Sequence, residues 1–170
     1  MSRGTLTQDR LREILSYDPE TGIFTNVANR ANVRCGDLSG GMAGHSYVRI
    51  SCDRRRYYAH RLAFLAMTGE FPFGEVDHIN GCHTDNRWSN LRLASRAENS
   101  RNLGLNKTNS TGFKGVRVHK DNRHRNKKYQ ARIRIEGREK SLGYYSDIRD
   151  AHRAYLDAAK KYFGDFARAA

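Results

Sequence analysis

The stretch Val76–Asn102, VDHINGCHTDNRWSNLRLASRAENSRN, decides how this chain reads. Val76 is apolar, and Asp77-His78 follow it at a strand end. Asn80-Gly81 turns the chain, because glycine takes positive φ without a steric penalty. A polar loop runs to Ser89, and Leu91-Arg92-Leu93 alternates as a second strand. Ser95-Arg96-Ala97-Glu98 has the form of a capping box, so a helix begins there. Asn99 falls in its first turn, with Asn102 on the same face. The predicted order is strand, loop, strand, helix. Closure of this ββα unit brings Asp77 and His78 towards Asn99.

A carboxylate and an amide oxygen are hard donors suited to Mg²⁺ or Mn²⁺, which keep waters and bind substrate phosphates. A neighbouring imidazole titrating near neutrality can take a proton from water. A metal beside it polarises the phosphoryl oxygen and stabilises the leaving oxygen. The combination suits a one-metal phosphodiesterase. An Asp-His pair at a strand end is also a common surface turn, and Asn is frequent in a first helical turn.

Working outward, Thr7 is placed to cap a first helix with Leu6 and Leu11 as a hydrophobic staple, and Leu11, Ile14 and Leu15 as its apolar stripe. Asp18–Gly22 reads as a turn before a strand at Gly22–Thr25. Gly36–Gly44 reads as a Gly-rich loop without the pattern of a phosphate-cradling P-loop. Tyr47–Ile50 and Arg56–Ala59 form a predicted hairpin, and a short helix follows from about His60 to Thr68, closed by Gly69. Trp88 reads as a core anchor. Past a polar seam, Gly115–His119, Tyr129–Ile135 and Lys140–Tyr144 read as three strands. Ser146 then caps a helix with the stripe Ile148, Ala151, Tyr155, Ala158 and Tyr162.

The chain has 170 residues with 31 Lys+Arg against 18 Asp+Glu, a net charge of +13. A surplus of that size makes a polyanion the expected partner, nucleic acid first. Residues 1–110 hold 15 basic and 11 acidic residues, and residues 111–170 hold 16 and 7, so net charges of +4 and +9 divide the chain. There is no apolar run of membrane-spanning length, and the N-terminal MSRGTLTQDRLREIL lacks an apolar signal-peptide core. Cys35, Cys52 and Cys82 are odd in number without a CxxC pair, so a reducing cytoplasm is expected and a disulfide framework is not. Cys82-His83 beside His78 lacks the second pair of ligands that a zinc site needs.

The runs YYAHRLAFLAMTG and VDHINGCHTDNRWSNLRLASRAEN resemble the HNH endonuclease family, in particular its phage and mobile-intron subgroup. The resemblance covers about Tyr47–Asn102. It implies that His78 is the general base and that Asp77 and Asn99 are the metal ligands. It implies that Asn90 holds the loop through backbone hydrogen bonds. With Asn in place of the last His, the ligand set implies Mg²⁺ or Mn²⁺, one per active site. No structural zinc is expected, since the paired cysteines of some relatives are missing. His60 and Arg61, opening a helix, are further candidates to touch phosphate, with a plain structural His as the alternative.

GFKGVRVHK (112–120), KYQARIRIEG (128–137) and KSLGYYSDIRDAHRAYLDAA (140–159) resemble the Apetala-2/ethylene-response-factor DNA-binding domain. That likeness implies a three-stranded sheet in the DNA major groove, backed by the helix. Arg117, Arg132 and Arg134 fall on strands, and the last two share a face. Arg suits bidentate contact with guanine, whereas Lys114 and Lys128 suit phosphate. Ser141 stands where the plant pattern has Trp, so base preference does not transfer. The expectation is an α+β chain: a ββα-metal HNH nuclease module at 1–101 (core about 74–102), a linker at 102–111, and at 112–170 a small three-stranded antiparallel sheet packed on one helix. The expected substrate is double-stranded DNA, with no membrane and no obligate protein partner, cut by a homing or phage-borne endonuclease. The alternative is a DNA-binding regulator whose nuclease site is inactive.

Overall fold

The computed structural model describes residues 5–29, 33–43, 47–106, 108–119 and 126–168. Gly44, Lys107 and Lys120, which belong to stretches read above, lie outside the described residues. Among the described residues the chain is mixed α+β, with four α-helices and four small antiparallel sheets. It divides into two units, Met1–Arg96 and Ala97–Ala170.

The first unit opens with α1 (Gln8–Ile14), where the Thr7 hydroxyl accepts from the Arg10 N–H at 3.3 Å. Leu6 and Leu11 are both buried beside it. Leu15, read as part of the helical stripe, instead begins β1 (Leu15–Asp18) with φ −137 and ψ 140. Its backbone is taken up by the strand ladder instead, where Leu15 stands opposite Asn26 of β2 (Ile23–Asn26). β1 pairs with β2 across the expected turn, where Asp18 accepts from the Glu20 N–H and the Thr21 hydroxyl.

The Gly-rich stretch is not simply a loop. It contributes β3 (Leu38–Ser39) to β2 and β4 (Gly41–Ala43) to the next strand, β5. Strands of two or three residues are too short to carry a readable alternation. β5 (Tyr47–Cys52) and β6 (Arg55–Tyr58) form the hairpin, joined by Asp53 and Arg54 at φ 48 and 63. Two positive φ values in a two-residue connection match the right-handed twist of the strands. Ala59, read as a strand end, is the first residue of α2 (Ala59–Thr68). Leu62 and Leu65 of this helix meet Leu11, Ile14, Phe24 and Ile50 in one buried cluster. Burying each such side chain contributes about 1.5–3 kcal/mol, so α2 is the post on which the unit is built.

β7 (Glu75–His78) and β8 (Leu91–Ala94) pair antiparallel, and Val76 and Leu91 reach the same cluster. A 3₁₀ turn at Trp88–Asn90 leads into β8, and the Trp88 ring packs edge-on against Phe64 at 4.8 Å.

In the second unit α3 (Arg96–Asn102) starts one residue after Ser95. From Ala97 onward it groups with this unit, so the division falls after the helix's first residue. The Lys114 ammonium donates to the carbonyls of Arg101 and Leu103 at 2.7 and 2.6 Å. The Arg101 guanidinium lies over the Phe163 ring. β9 (Val116–Val118), β10 (Tyr129–Ile135) and β11 (Arg138–Tyr145) form a sheet with β10 in the middle.

α4 (Ile148–Phe163) packs on that sheet through Ala151, Tyr155 and Ala159. Its cap is Asp147, which accepts from the Arg149 N–H at 2.6 Å, and not Ser146 one residue earlier. Tyr162 was expected in the buried stripe but remains exposed, its hydroxyl accepting from Lys140. The phenol oxygen is satisfied there and would have to find a partner if buried. Gly115 has φ 74, and a Cβ on it would lie 2.0 Å from the Tyr155 ring, so the helix presses directly on backbone.

Candidate active site

Asp77 and His78 end β7 and are both buried. The register sets Asp77 opposite Arg92 on β8. Arg92 Nε donates to Asp77 Oδ2 at 2.8 Å, and Nη2 lies 2.7 Å from the same oxygen. A carboxylate only 4% exposed needs such a countercharge, because an unpaired buried ion costs several kcal/mol.

The His78 ring is 2% exposed. Burial pushes its pKa down, and a contact of Nε2 with Asn86 Oδ1 at 3.4 Å opposes that shift. Around it stand His60, edge-on at 5.2 Å, and His83 at 5.6 Å between centroids. Tyr47 stacks on His83 at 4.2 Å. His60 is buried, with Nδ1 making no hydrogen bond among the described residues. Burial foremost, then the neighbouring His78, pushes the His60 pKa down to about 3.

The loop between the strands is laced by side chains. Asn90 Oδ1 accepts from the Asn80 N–H at 3.0 Å, and Nδ2 donates to the Asp85 carbonyl at 2.8 Å. The Asn90 carbonyl accepts from the Ile79 N–H, so one residue bonds both ends of the loop. Asp85 takes the Arg87 guanidinium through two bonds and the Asn80 amide through a third. The Arg87 bonds come first among the causes that hold its carboxyl down to about 2.

Residues 57–101 match the HNH endonuclease family model. The match holds Asp77, His78, Asn90 and Asn99 and ends before the second unit's sheet. An uncharacterized HNH endonuclease of Acanthamoeba polyphaga mimivirus is 32% identical over 126 residues, which are 73% of this chain and 63% of that protein. The chain therefore spans less than two thirds of the viral relative's length. No solved structure matches it.

Asn99 lies in α3 within the second unit, whereas Asp77, His78 and Asn90 belong to the first. The remaining expected residues have these surroundings. The Arg61 guanidinium donates to the carbonyls of Pro72 and Gly74, tying down the chain after α2. A phosphate at Lys114 would have to replace the two carbonyls its ammonium already meets. Lys128 and Arg134 are exposed. Arg117 donates to Gln130 at 2.7 Å, and Gln130 donates to Ser141 and Tyr144. Arg132 pairs with Glu139, and Arg117 lies 4.0 Å from the same carboxylate.

Sequence reading missed the support beneath the loop. The Tyr17 hydroxyl donates to the Asn86 carbonyl at 2.8 Å, and the Trp88 N–H donates to the Pro19 carbonyl at 2.9 Å. Gly22 has φ 73, and a Cβ there would fall 2.3 Å from the Arg87 nitrogen. The β1–β2 turn is thus pressed against the loop backbone. Local sequence carries no signal for Tyr17, 69 residues from its partner. Asn86, a polar residue two before Trp88 in an otherwise solvated stretch, gives no hint that it is buried.

Proposed function

We propose that the chain is a DNA endonuclease that hydrolyses phosphodiester bonds by a single-metal HNH mechanism, of the phage-borne or homing kind. The observation that carries the reading is the buried Asp77-His78 pair closing β7 inside the family-matched residues. In this reading His78 takes a proton from water. The hydroxide oxygen bonds to phosphorus, the P–O3′ bond breaks, and the 3′ oxygen takes a proton from solvent. The products carry 5′-phosphate and 3′-hydroxyl ends.

Asp77 and Asn99 are the proposed holders of one Mg²⁺ or Mn²⁺. A carboxylate and an amide oxygen are donor types that fit a hard cation. When bound, such an ion supplies charge stabilisation at the phosphoryl and leaving oxygens. Asn90 acts through the loop it bonds, keeping the end of β7 in place.

The second unit is proposed to grip double-stranded DNA in the manner of an Apetala-2-like sheet. Arg117, Arg132 and Arg134 would lie on the outer face, with Lys128 at its margin. Lys114, His60 and Arg61 are secondary candidates for phosphate. The +9 charge of residues 111–170 supports this reading.

A regulator with an inactive site is the second reading, favoured by Arg92, whose guanidinium already occupies one oxygen of Asp77. Plasmid cleavage separates the two. Wild type is expected to cut in Mg²⁺ or Mn²⁺ and not in EDTA, and His78→Ala to lose at least about 10²-fold in rate, the scale of general-base catalysis. No cutting by wild type in either metal rules for the regulator.

A further inference from the structure

The nuclease reading leaves open which imidazole nitrogen takes the proton, and the buried surroundings of His78 bear on it. Asn86 is 3% exposed and lies beside the ring. Its Nδ2 donates to the Thr84 carbonyl at 3.1 Å. A carbonyl only accepts, so the amide cannot be turned the other way, and Oδ1 must be the atom facing His78 Nε2 at 3.4 Å. The Asn86 backbone is held in turn by the Tyr17 hydroxyl on its carbonyl. Two anchors therefore fix an acceptor next to one ring nitrogen.

We propose that Asn86 is the positioning residue of His78: its Oδ1 accepts from Nε2–H, so the neutral ring carries its proton on Nε2 and Nδ1 is the nitrogen that takes the proton from water. This rests on the nuclease reading only for its last clause. The partner that one ring nitrogen meets sets the tautomer and the ring orientation. An amide oxygen does this without adding charge beside Asp77.

The first arm of the test is spectroscopic. Long-range ¹H–¹⁵N spectra of the full-length ¹⁵N-labelled chain distinguish the two neutral tautomers, with His78 assigned by the signal lost in His78→Gln. The expected result is an Nε2-protonated ring. An Nδ1-protonated ring in wild type overturns the proposal, whether or not the protein cuts DNA. Kinetics supply the second arm. Asn86→Asp keeps an acceptor oxygen and is expected to stay within about 10-fold of wild-type kcat. Asn86→Leu removes it and is expected to lose about 10²-fold in kcat with KM unchanged, the magnitude of a misdirected general base. A loss confined to KM, or an Asn86→Leu protein as fast as wild type, overturns the positioning role. Failure of wild type to cleave sinks the nuclease reading instead, while the spectrum still decides the tautomer.

Discussion

The two units organise their polar groups in opposite ways. Where β7 ends and β8 begins, Asp77 is 4% and Asn90 6% exposed, and Asn90 bonds to backbone. On the sheet of the second unit Arg132 and Glu139 are 38% and 42% exposed and bond to each other. The first arrangement defines a shape, because each bond replaces a lost contact with water and breaking one leaves an orphan. The second leaves a charged face that can exchange partners at little cost. The proposed catalytic site calls for the former, and the proposed DNA-gripping face is served by the latter.

The largest break in this contrast should come from Arg92→Leu, which takes the guanidinium away from the buried Asp77 carboxylate. A loss of about 3–5 kcal/mol is expected in urea unfolding of the full chain, the scale for half of a buried ion pair. A loss under about 1 kcal/mol would mean that water solvates the Asp77 carboxylate in the variant. Asn90→Leu should follow at about 2–3 kcal/mol, since it leaves the Asn80 N–H and the Asp85 carbonyl without partners.

His60 gives a pH-dependent version of the same test. Its folded pKa of about 3 lies below the ordinary imidazole value, so the unfolded chain binds more protons between the two. Its share of stability is complete above about pH 6.5 and is lost as pH falls towards 3, at up to about 1.4 kcal/mol per pH unit. Thermal unfolding at pH 7.5 and 5 should show His60→Phe less acid-sensitive than wild type. Equal sensitivity would mean that His60 is hydrated.

The smallest effect belongs to the exposed face. Glu139→Gln should change stability by less than about 1 kcal/mol. Arg132→Ala should leave stability similar and reduce the salt slope of DNA binding by about one, which fluorescence anisotropy across salt concentrations measures. An unchanged slope argues that this face does not meet phosphate.

The strand, loop, strand, helix order of 76–102 was legible because local signals agree: alternation at Leu91-Arg92-Leu93, a turn at Asn80-Gly81 and a box at Ser95–Glu98. The three strands and helix of the second unit were legible for the same reason. Leu15 misled because its helical spacing from Leu11 competes with its strand pairing to Asn26. Ser146 and Asp147 are both good caps, and residue type alone does not choose between them. Asn86 was illegible because what buries it, Tyr17 and the turn at Gly22, comes from far along the chain. The grouping of α3 draws on Lys114, 13 residues from Arg101, and on the far more remote Phe163.

The contact of the β1–β2 turn with the loop at residues 86–87 sets a limit on modularity. The family match begins at residue 57, yet Tyr17, Pro19 and Gly22 brace the loop from outside it. A graft of residues 57–101 into another scaffold would carry Asp77, His78 and Asn90 and leave their brace behind. The transplantable part is the discontinuous pairing of that hairpin with the loop, so the inheritable unit of this site is longer than its motif.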